Sequence, residues 1–193
     1  MELWQRSDKA LPLGDRTVEL DPLSSFMYGD LGGQYRNAGQ LDEAVRLTDI
    51  AIELNPRNAS AIWLKGLSIA GQGDFESALA VLHPIRRHPA WGDGYGIVLA
   101  MAGREQEARD FLAEIEKTPR NVVVLTRLHA ALDDADEMFH WMAVAKEVKL
   151  PWYPWFITWF PRMGVARNDP RMDELAAELN LTDALARARA QGR

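Results

Sequence analysis

The chain has 193 residues, of which 47% are hydrophobic, so it can bury a continuous core either as one compact domain or as a short array of repeats. Its 28 acidic residues outnumber its 22 basic ones, and the net charge of −6 argues against a nucleic-acid-binding surface, which needs clustered excess cation. Because the chain has no cysteine, disulfides, thiolate metal sites and cysteine nucleophiles are excluded.

The opening stretch, MELWQRSDKALPLGD, does not have the apolar core of a secretory signal. The sequence also contains no run of about 18 apolar residues, the length that a membrane-spanning helix needs. We therefore expect a cytoplasmic protein.

Residues 1–24 have the pattern of the second half of a helical repeat, because Pro22 occupies the place that Pro56 occupies at the end of the next unit. We predict that this helix begins near Pro12, where a missing N–H costs nothing. The helix that would normally precede it is missing from the pattern. An apolar face is therefore expected to be exposed or covered by dimerisation, and it consists of Leu11, Leu13, Val18 and Leu20.

Residues 25–58 form the first complete unit. Aromatic, small and proline residues recur in it at helical spacing: Tyr28, Leu31, Gly32, Tyr35, Ala44, Ala51 and Pro56. Gly32 and Ala44 are predicted to let two antiparallel helices approach closely, and Gly39 to end the first of them.

Later units repeat these small residues. The second set, which follows the first at the interval that separates Pro22 from Pro56, is Gly66, Gly73 and Ala78. The third set follows at an interval about one helical turn shorter and is Gly96, Gly103 and Ala108. The shorter interval predicts a second helix that ends near Pro84. A fourth, degraded unit over 121–149 has Asp133 in place of the turn glycine, and its second helix is predicted over 136–148.

The repeat pattern ends after Lys149. Residues 150–160 carry three of the seven tryptophans, and their prolines forbid a long helix. We predict that this segment folds back as a cap and buries Trp152, Trp155 and Trp159 against the groove or the last helix pair. An amphipathic helix is predicted over 171–179, and a final helix over 182–193.

The Leu-Gly, Gly, Ala and Pro pattern of these units resembles the tetratricopeptide repeat (TPR) family over about residues 10–149. The resemblance implies an all-α, right-handed superhelix of antiparallel helix pairs, a TPR-like solenoid with a C-terminal Pro/Trp-rich cap and helix. We predict an incomplete repeat over residues 1–24, an array of four helix pairs over 25–149 and a capping segment over 150–193.

The end of the chain is similar to a subset of bacterial TPR arrays that follow cyclase domains or winged-helix transcriptional activators. The similarity lies in Leu150-Pro151-Trp152 and in the Asp-Pro-Arg-Met run at residues 169–172. Met172 replaces the Phe that is usual in this run. The resemblance implies a regulatory or scaffolding domain of a bacterial signalling or transcription-regulating protein.

By family analogy, repeat positions 2, 5, 9, 12 and 13 of each first helix point into a concave groove. The partner-binding residues predicted in this way are Phe26, Arg36, Asn37, Trp63, Leu67, Asp93, Ile97 and Met101. Ordinary core between helices is the alternative for Trp63, Leu67, Ile97 and Met101. Chaperone-binding TPRs carry Lys and Asn at positions 5 and 9 of their first repeat, whereas Gly29 and Gly33 cannot grip a peptide carboxylate.

We find no catalytic, cofactor or metal signature. His129 and His140 lie too far apart for ligands on one helix face, so the aspartates between them are interpreted as a solvated turn. We therefore predict a non-catalytic scaffold whose partner is a protein or peptide, in another chain or in the same one, without direct nucleic-acid or membrane contact. The alternatives are a homodimer formed through the N-terminal helix and, less favoured, an enzyme.

Overall fold

The computed structural model describes residues 7–151, 153–159, 166 and 168–191, and the regular structure within them is helical. Contacts divide the chain into two compact units, Met1–Glu107 and Ala108–Arg193. In each unit, helices that follow one another in sequence pack together as neighbours.

The described residues of the first unit contain six helices before α7: α1 (Ser7–Leu20), α2 (Ser25–Asn37), α3 (Leu41–Leu54), α4 (Ala59–Gly71), α5 (Phe75–Leu82) and α6 (Asp93–Met101). A 3-10 turn at His83–Ile85 follows α5, which has 8 residues against 14 in α3. The predicted shortening near Pro84 is thereby confirmed. Helix α7 (Glu105–Ala113) begins in this unit and ends in the second.

The second unit contains, after a 3-10 turn at Pro119–Asn121, the helices α8 (Val122–Ala131), α9 (Ala135–Glu147), α10 (Tyr153–Trp159), α11 (Pro170–Glu178) and α12 (Thr182–Gln191). The helices predicted over 136–148 and 171–179 are confirmed to within one residue at each end. The helix predicted over 182–193 is confirmed as far as Gln191, and its last two residues lie outside the described ranges.

The turn that closes each helix pair contains a residue in the left-handed region of backbone space. Gly39, Gly73 and Gly103 have φ of 79°, 92° and 73°, and Asp133 has φ of 55° at the corresponding place in the fourth pair. Glycine adopts this conformation without a steric penalty, and aspartate tolerates it better than most residues do. The predicted turn positions are therefore confirmed.

The close approach predicted at Gly32 is present between α2 and α3. A Cβ added there would lie 2.8 Å from Thr48 Cγ2 and 3.2 Å from the Ala44 carbonyl oxygen. Thr48 is fully buried. Its hydroxyl donates to the Ala44 carbonyl at 2.8 Å, so the buried polar group is satisfied within its own helix.

The start predicted for the N-terminal helix is wrong, because α1 already includes Ser7, the first described residue, and continues through Pro12. Proline inside a helix removes one backbone hydrogen bond and costs about 3 kcal/mol. Packing of α1 against α2 offsets this cost. Gly14 lies against Leu31, and the Tyr35 hydroxyl donates to the Asp15 carboxylate at 3.1 Å.

The C-terminal segment folds partly as predicted. Helix α10 contacts α9, α11 and α12, but Trp155 is 46% exposed and is not buried as predicted. The buried face of this short helix is formed by Tyr153, Phe156 and Ile157, and Trp155 lies on the other face. Trp152 and the side chain of Trp159 lie outside what the structure describes.

Candidate functional site

The first helices of the repeats in the first unit lie side by side, with α2 against α4 and α4 against α6. They form the layer on which the predicted partner-binding residues stand. Within this layer, burial separates the five repeat positions into two sets.

Positions 5 and 9 are buried in all three repeats of the first unit. A Cβ on Gly29 would meet Ala61 Cβ at 3.5 Å, and one on Gly33 would meet the Leu64 methyl groups at 3.4 Å. These glycines therefore face the neighbouring first helix, at distances at which a Cβ would make ordinary van der Waals contact. Position 9 of the next repeat, Leu67, is 3% exposed.

Trp63, at position 5 of the second complete repeat, is 3% exposed. Its ring centroid lies 5.4 Å from that of Trp91, with the planes tilted by 57°. A Cβ on Gly94 would lie only 2.7 Å from Trp63 Cδ1, so the indole packs directly on the backbone of α6. Asp93 and Ile97, on the same helix, are also buried.

Position 13 is exposed in all three repeats: Asn37, Gly71 and Met101. Met101 is 46% exposed, and Phe26, at position 2 of the first complete repeat, is 68% exposed. Arg36 is half-buried. The structure thus brings the eight predicted residues onto one helix layer. Four are accessible and four are buried. The alternative of inter-helix core agrees with the burial of Trp63, Leu67 and Ile97 but not with the exposure of Met101, and Asp93 is buried although the alternative did not include it.

A polar network joins both helices of the first complete repeat to the start of α4. The Asn58 side chain accepts the Ala61 N–H at 3.1 Å as the cap of α4, and it donates to the Ser25 hydroxyl at 2.8 Å. Ser25 in turn donates to the Ala51 carbonyl at 2.7 Å. The sequence signal was present, since Asn directly before an apolar helix is a typical N-cap.

A second polar contact joins α8 and α9. His129, only 4% exposed, has Nδ1 3.1 Å from an Asp134 carboxylate oxygen and Nε2 4.0 Å from a Glu137 carboxylate oxygen. Asp134 also caps α9 by accepting the Glu137 N–H. His140 is exposed and meets the Trp141 ring edge-on, with centroids 5.3 Å apart. The sequence alone indicates a solvated turn for the aspartates between the two histidines and does not predict this contact.

Among the described residues there is no group of three or more His, Asp or Glu side chains placed to hold a metal ion. Within the same residues, no helix has both the length and the apolar character needed to cross a membrane.

No protein-family model and no curated protein matches the sequence. Solved structures do match. One is a TPR-repeat chain from the crystal structure of the APC/C hetero-tetramer Cut9-Hcn1, with a TM-score of 0.52 and 17% sequence identity. The match covers 97% of this chain and 36% of that chain, so the protein spans about a third of its neighbour's length.

At this level of identity the likeness concerns the fold. Together with the consecutive helix pairs, it confirms the predicted class, an all-α TPR-like array.

Proposed function

We propose that this chain is a non-catalytic scaffold that binds a protein or peptide segment along the first-helix layer of its N-terminal unit. The observation that carries the proposal is the exposure of position 13 in three successive repeats, at corresponding places on adjacent helices. Such a row offers a partner one contact per repeat. Beneath this row lies a packed layer of buried residues from the predicted site: Trp63, Leu67, Asp93 and Ile97.

The accessible residues define the chemistry of the partner. Phe26 and Met101 expose large apolar surfaces, and Asn37 offers an amide that both donates and accepts. Methionine adapts its shape to different apolar contacts. We therefore propose a peptide segment with apolar side chains as anchors and backbone groups available for hydrogen bonding.

The cellular role that we propose is regulatory. The sequence resemblance at residues 150–152 and 169–172 supports a cytoplasmic domain of a bacterial signalling or transcription-regulating protein. Sequencing the gene together with its flanking DNA tests this assignment. A reading frame that links the chain to a cyclase or winged-helix domain supports it, and a reading frame that links it to an unrelated domain contradicts it.

Selection from a displayed peptide library tests the binding function. Peptides that bind the wild-type chain should bind Phe26→Ala and Met101→Ala at least about fivefold more weakly, because truncation of a central apolar anchor typically costs more than about 1 kcal/mol. Leu54→Ala is the matched control, since Leu54 is an exposed apolar residue on a second helix. Equal affinity of all three variants would place the binding site elsewhere.

A further inference from the structure

The loop between α5 and α6 is basic, although the chain as a whole has a net charge of −6. We define the basic loop as residues 83–88, which contain two histidines and two arginines. No acidic residue occurs in the sequence between Glu76 and Asp93. The basic loop therefore has no carboxylate in its own stretch of the chain.

The backbone of the basic loop is held by hydrogen bonds within the loop and to the residues that follow it. The His88 N–H donates to the Ile85 carbonyl at 2.8 Å, and the Gly92 N–H donates to the His88 carbonyl at 2.8 Å. A Cβ at Gly92 would lie 2.6 Å from the Arg86 carbonyl oxygen, so the chain folds back closely over the loop. A loop held in this way loses little conformational freedom when a partner binds.

His83 holds the side chain of Arg86. The Arg86 Nη1 group donates to the His83 carbonyl at 2.9 Å and lies 3.3 Å from His83 Nδ1. Because a guanidinium can only donate, His83 Nδ1 is the acceptor in the second contact. Both contacts use the same nitrogen of Arg86, so they leave the edge of the guanidinium that Nε and Nη2 form. This edge carries two parallel N–H groups, the arrangement that binds both oxygens of a carboxylate.

Within the described ranges, Arg86 forms no ion pair, and the side-chain contacts of its guanidinium are those to His83. Arg86 is half-buried, whereas His83 is exposed. Solvent screens an ion pair less at a half-buried group than at a fully exposed one. A carboxylate supplied by a partner therefore gains more from Arg86 than from an ordinary surface arginine.

The Arg86 side chain lies beside the first-helix layer. The 3-10 turn that opens the basic loop contacts α4. The His83 ring meets the ring of Tyr95, on α6, edge-on, with centroids 6.1 Å apart. A segment that crosses α4 and α6 is therefore close to the guanidinium that His83 holds.

We propose that Arg86 binds an Asp or Glu side chain of the peptide segment that lies along the first-helix layer. The proposal rests on the proposed peptide binding and adds one charged contact to its apolar contacts. The carboxylate accepts two N–H groups of the guanidinium, and His83 is a positioning residue that fixes their direction. One guanidinium is sufficient for one acidic residue, whereas a nucleic acid needs the clustered excess cation that a chain of net charge −6 does not offer.

Peptides selected on the full wild-type chain test the acidic residue. They should carry Asp or Glu at a fixed distance in sequence from their apolar anchors. Replacing this residue with Gln in the peptide should weaken binding at least about fivefold, measured by isothermal titration calorimetry at low salt. This change leaves the chain itself untouched, so the result does not depend on the folding of a variant.

Arg86→Gln assigns the contact to one side chain. It should bind the acidic peptide at least about fivefold more weakly than the wild-type chain does. It should bind the Gln peptide as well as the wild-type chain does, because the two changes remove the same pair. Arg57→Gln is the matched control, since Arg57 is exposed in the loop between α3 and α4 and its replacement changes the net charge equally.

His83→Phe tests the positioning role, because it keeps an aromatic ring and removes Nδ1. It should weaken binding of the acidic peptide and leave binding of the Gln peptide unchanged. A purely structural role of His83 would weaken both peptides alike. Circular dichroism of each variant verifies that the helices remain intact.

Three results distinguish this proposal from the peptide binding on which it rests. Equal affinity of the acidic and Gln peptides for the wild-type chain would overturn the acidic contact and leave binding at Phe26 and Met101 intact. Equal losses in Arg57→Gln and Arg86→Gln would also overturn it, since they indicate a general effect of net charge. A library that yields no binding peptide would contradict the peptide binding itself, and this contact with it.

Discussion

The absence of a Cβ at Gly66 permits the close contact between α4 and α5. A Cβ at this position in α4 would lie 2.4 Å from Cγ of Leu82, which is fully buried. Gly66→Ala should therefore lower the free energy of unfolding by about 1–3 kcal/mol through overpacking, measured by urea denaturation.

Gly33→Ala is the matched control for Gly66→Ala. A Cβ there would meet the Leu64 methyl groups at an ordinary 3.4 Å. Alanine is the better helix former, so this substitution should stabilise the chain by up to about 1 kcal/mol. Equal effects of the two substitutions would show that the spacing between α4 and α5 does not limit the residue size at Gly66.

The polar network around Asn58 gives a second prediction at the scale of a residue. Asn58→Ala removes the cap of α4 and the hydrogen bond to Ser25, and it should cost about 1–3 kcal/mol. Asn58→Asp keeps the capping acceptor but loses the donor, so its cost should be smaller. Thermal denaturation of both variants measures the difference. Equal losses would mean that the cap contributes nothing of its own.

At the scale of an element, the start of α11 depends on a charged group. Asp169 accepts the Arg171 N–H at 2.9 Å, and the hydrogen bond to the Arg171 guanidinium holds the pKa of this carboxyl below its ordinary 3.8. A carboxyl with a lowered folded-state pKa contributes stability above its unfolded pKa, and this contribution is lost as the pH falls through the folded pKa.

Asp169→Asn should therefore lower the melting temperature near neutral pH, and the difference from wild type should shrink as the pH falls below about 4. Thermal melts between about pH 2.5 and about pH 7 measure this difference. Glu174→Gln, an exposed change on the same helix, is the control and should leave the pH profile unchanged. A constant gap between wild type and Asp169→Asn at every pH would show that the loss is not electrostatic.

The turns and the sizes of the helices follow from local physics, which is why the sequence predicts them. Gly39, Gly73 and Gly103 mark left-handed turns that any backbone of this shape requires, and Asp133 is a tolerated substitute. Pro84 likewise limits α5 through its own missing donor.

What the sequence does not predict depends on neighbours that are distant along the chain. Helix α1 continues through Pro12 because its packing on α2 outweighs a local penalty. Positions 5 and 9 are buried because the neighbouring first helix packs over them, as α4 does over Gly29 and Gly33, and family analogy alone does not include that packing. In each case tertiary packing overrides the local pattern.

At the scale of the whole molecule, both compact units depend on buried apolar faces, and in the second unit α10 supplies one of them. Helix α10 contacts α9 and α12, and its Ile157 is fully buried, whereas Trp155 on the same helix is 46% exposed. Ile157→Ala should cost about 2–4 kcal/mol, and it should speed hydrogen exchange in α9 and α12.

Trp155→Ala is the control for this prediction, although it removes the larger side chain. Burial, and not side-chain size, sets the cost of truncation, so Trp155→Ala should cost less than Ile157→Ala and leave exchange in α9 unchanged. A larger loss of stability in Trp155→Ala than in Ile157→Ala would contradict this prediction. It would mean that tryptophan holds the cap, as the sequence alone predicts, and that the face of α10 carrying Trp155 packs inward.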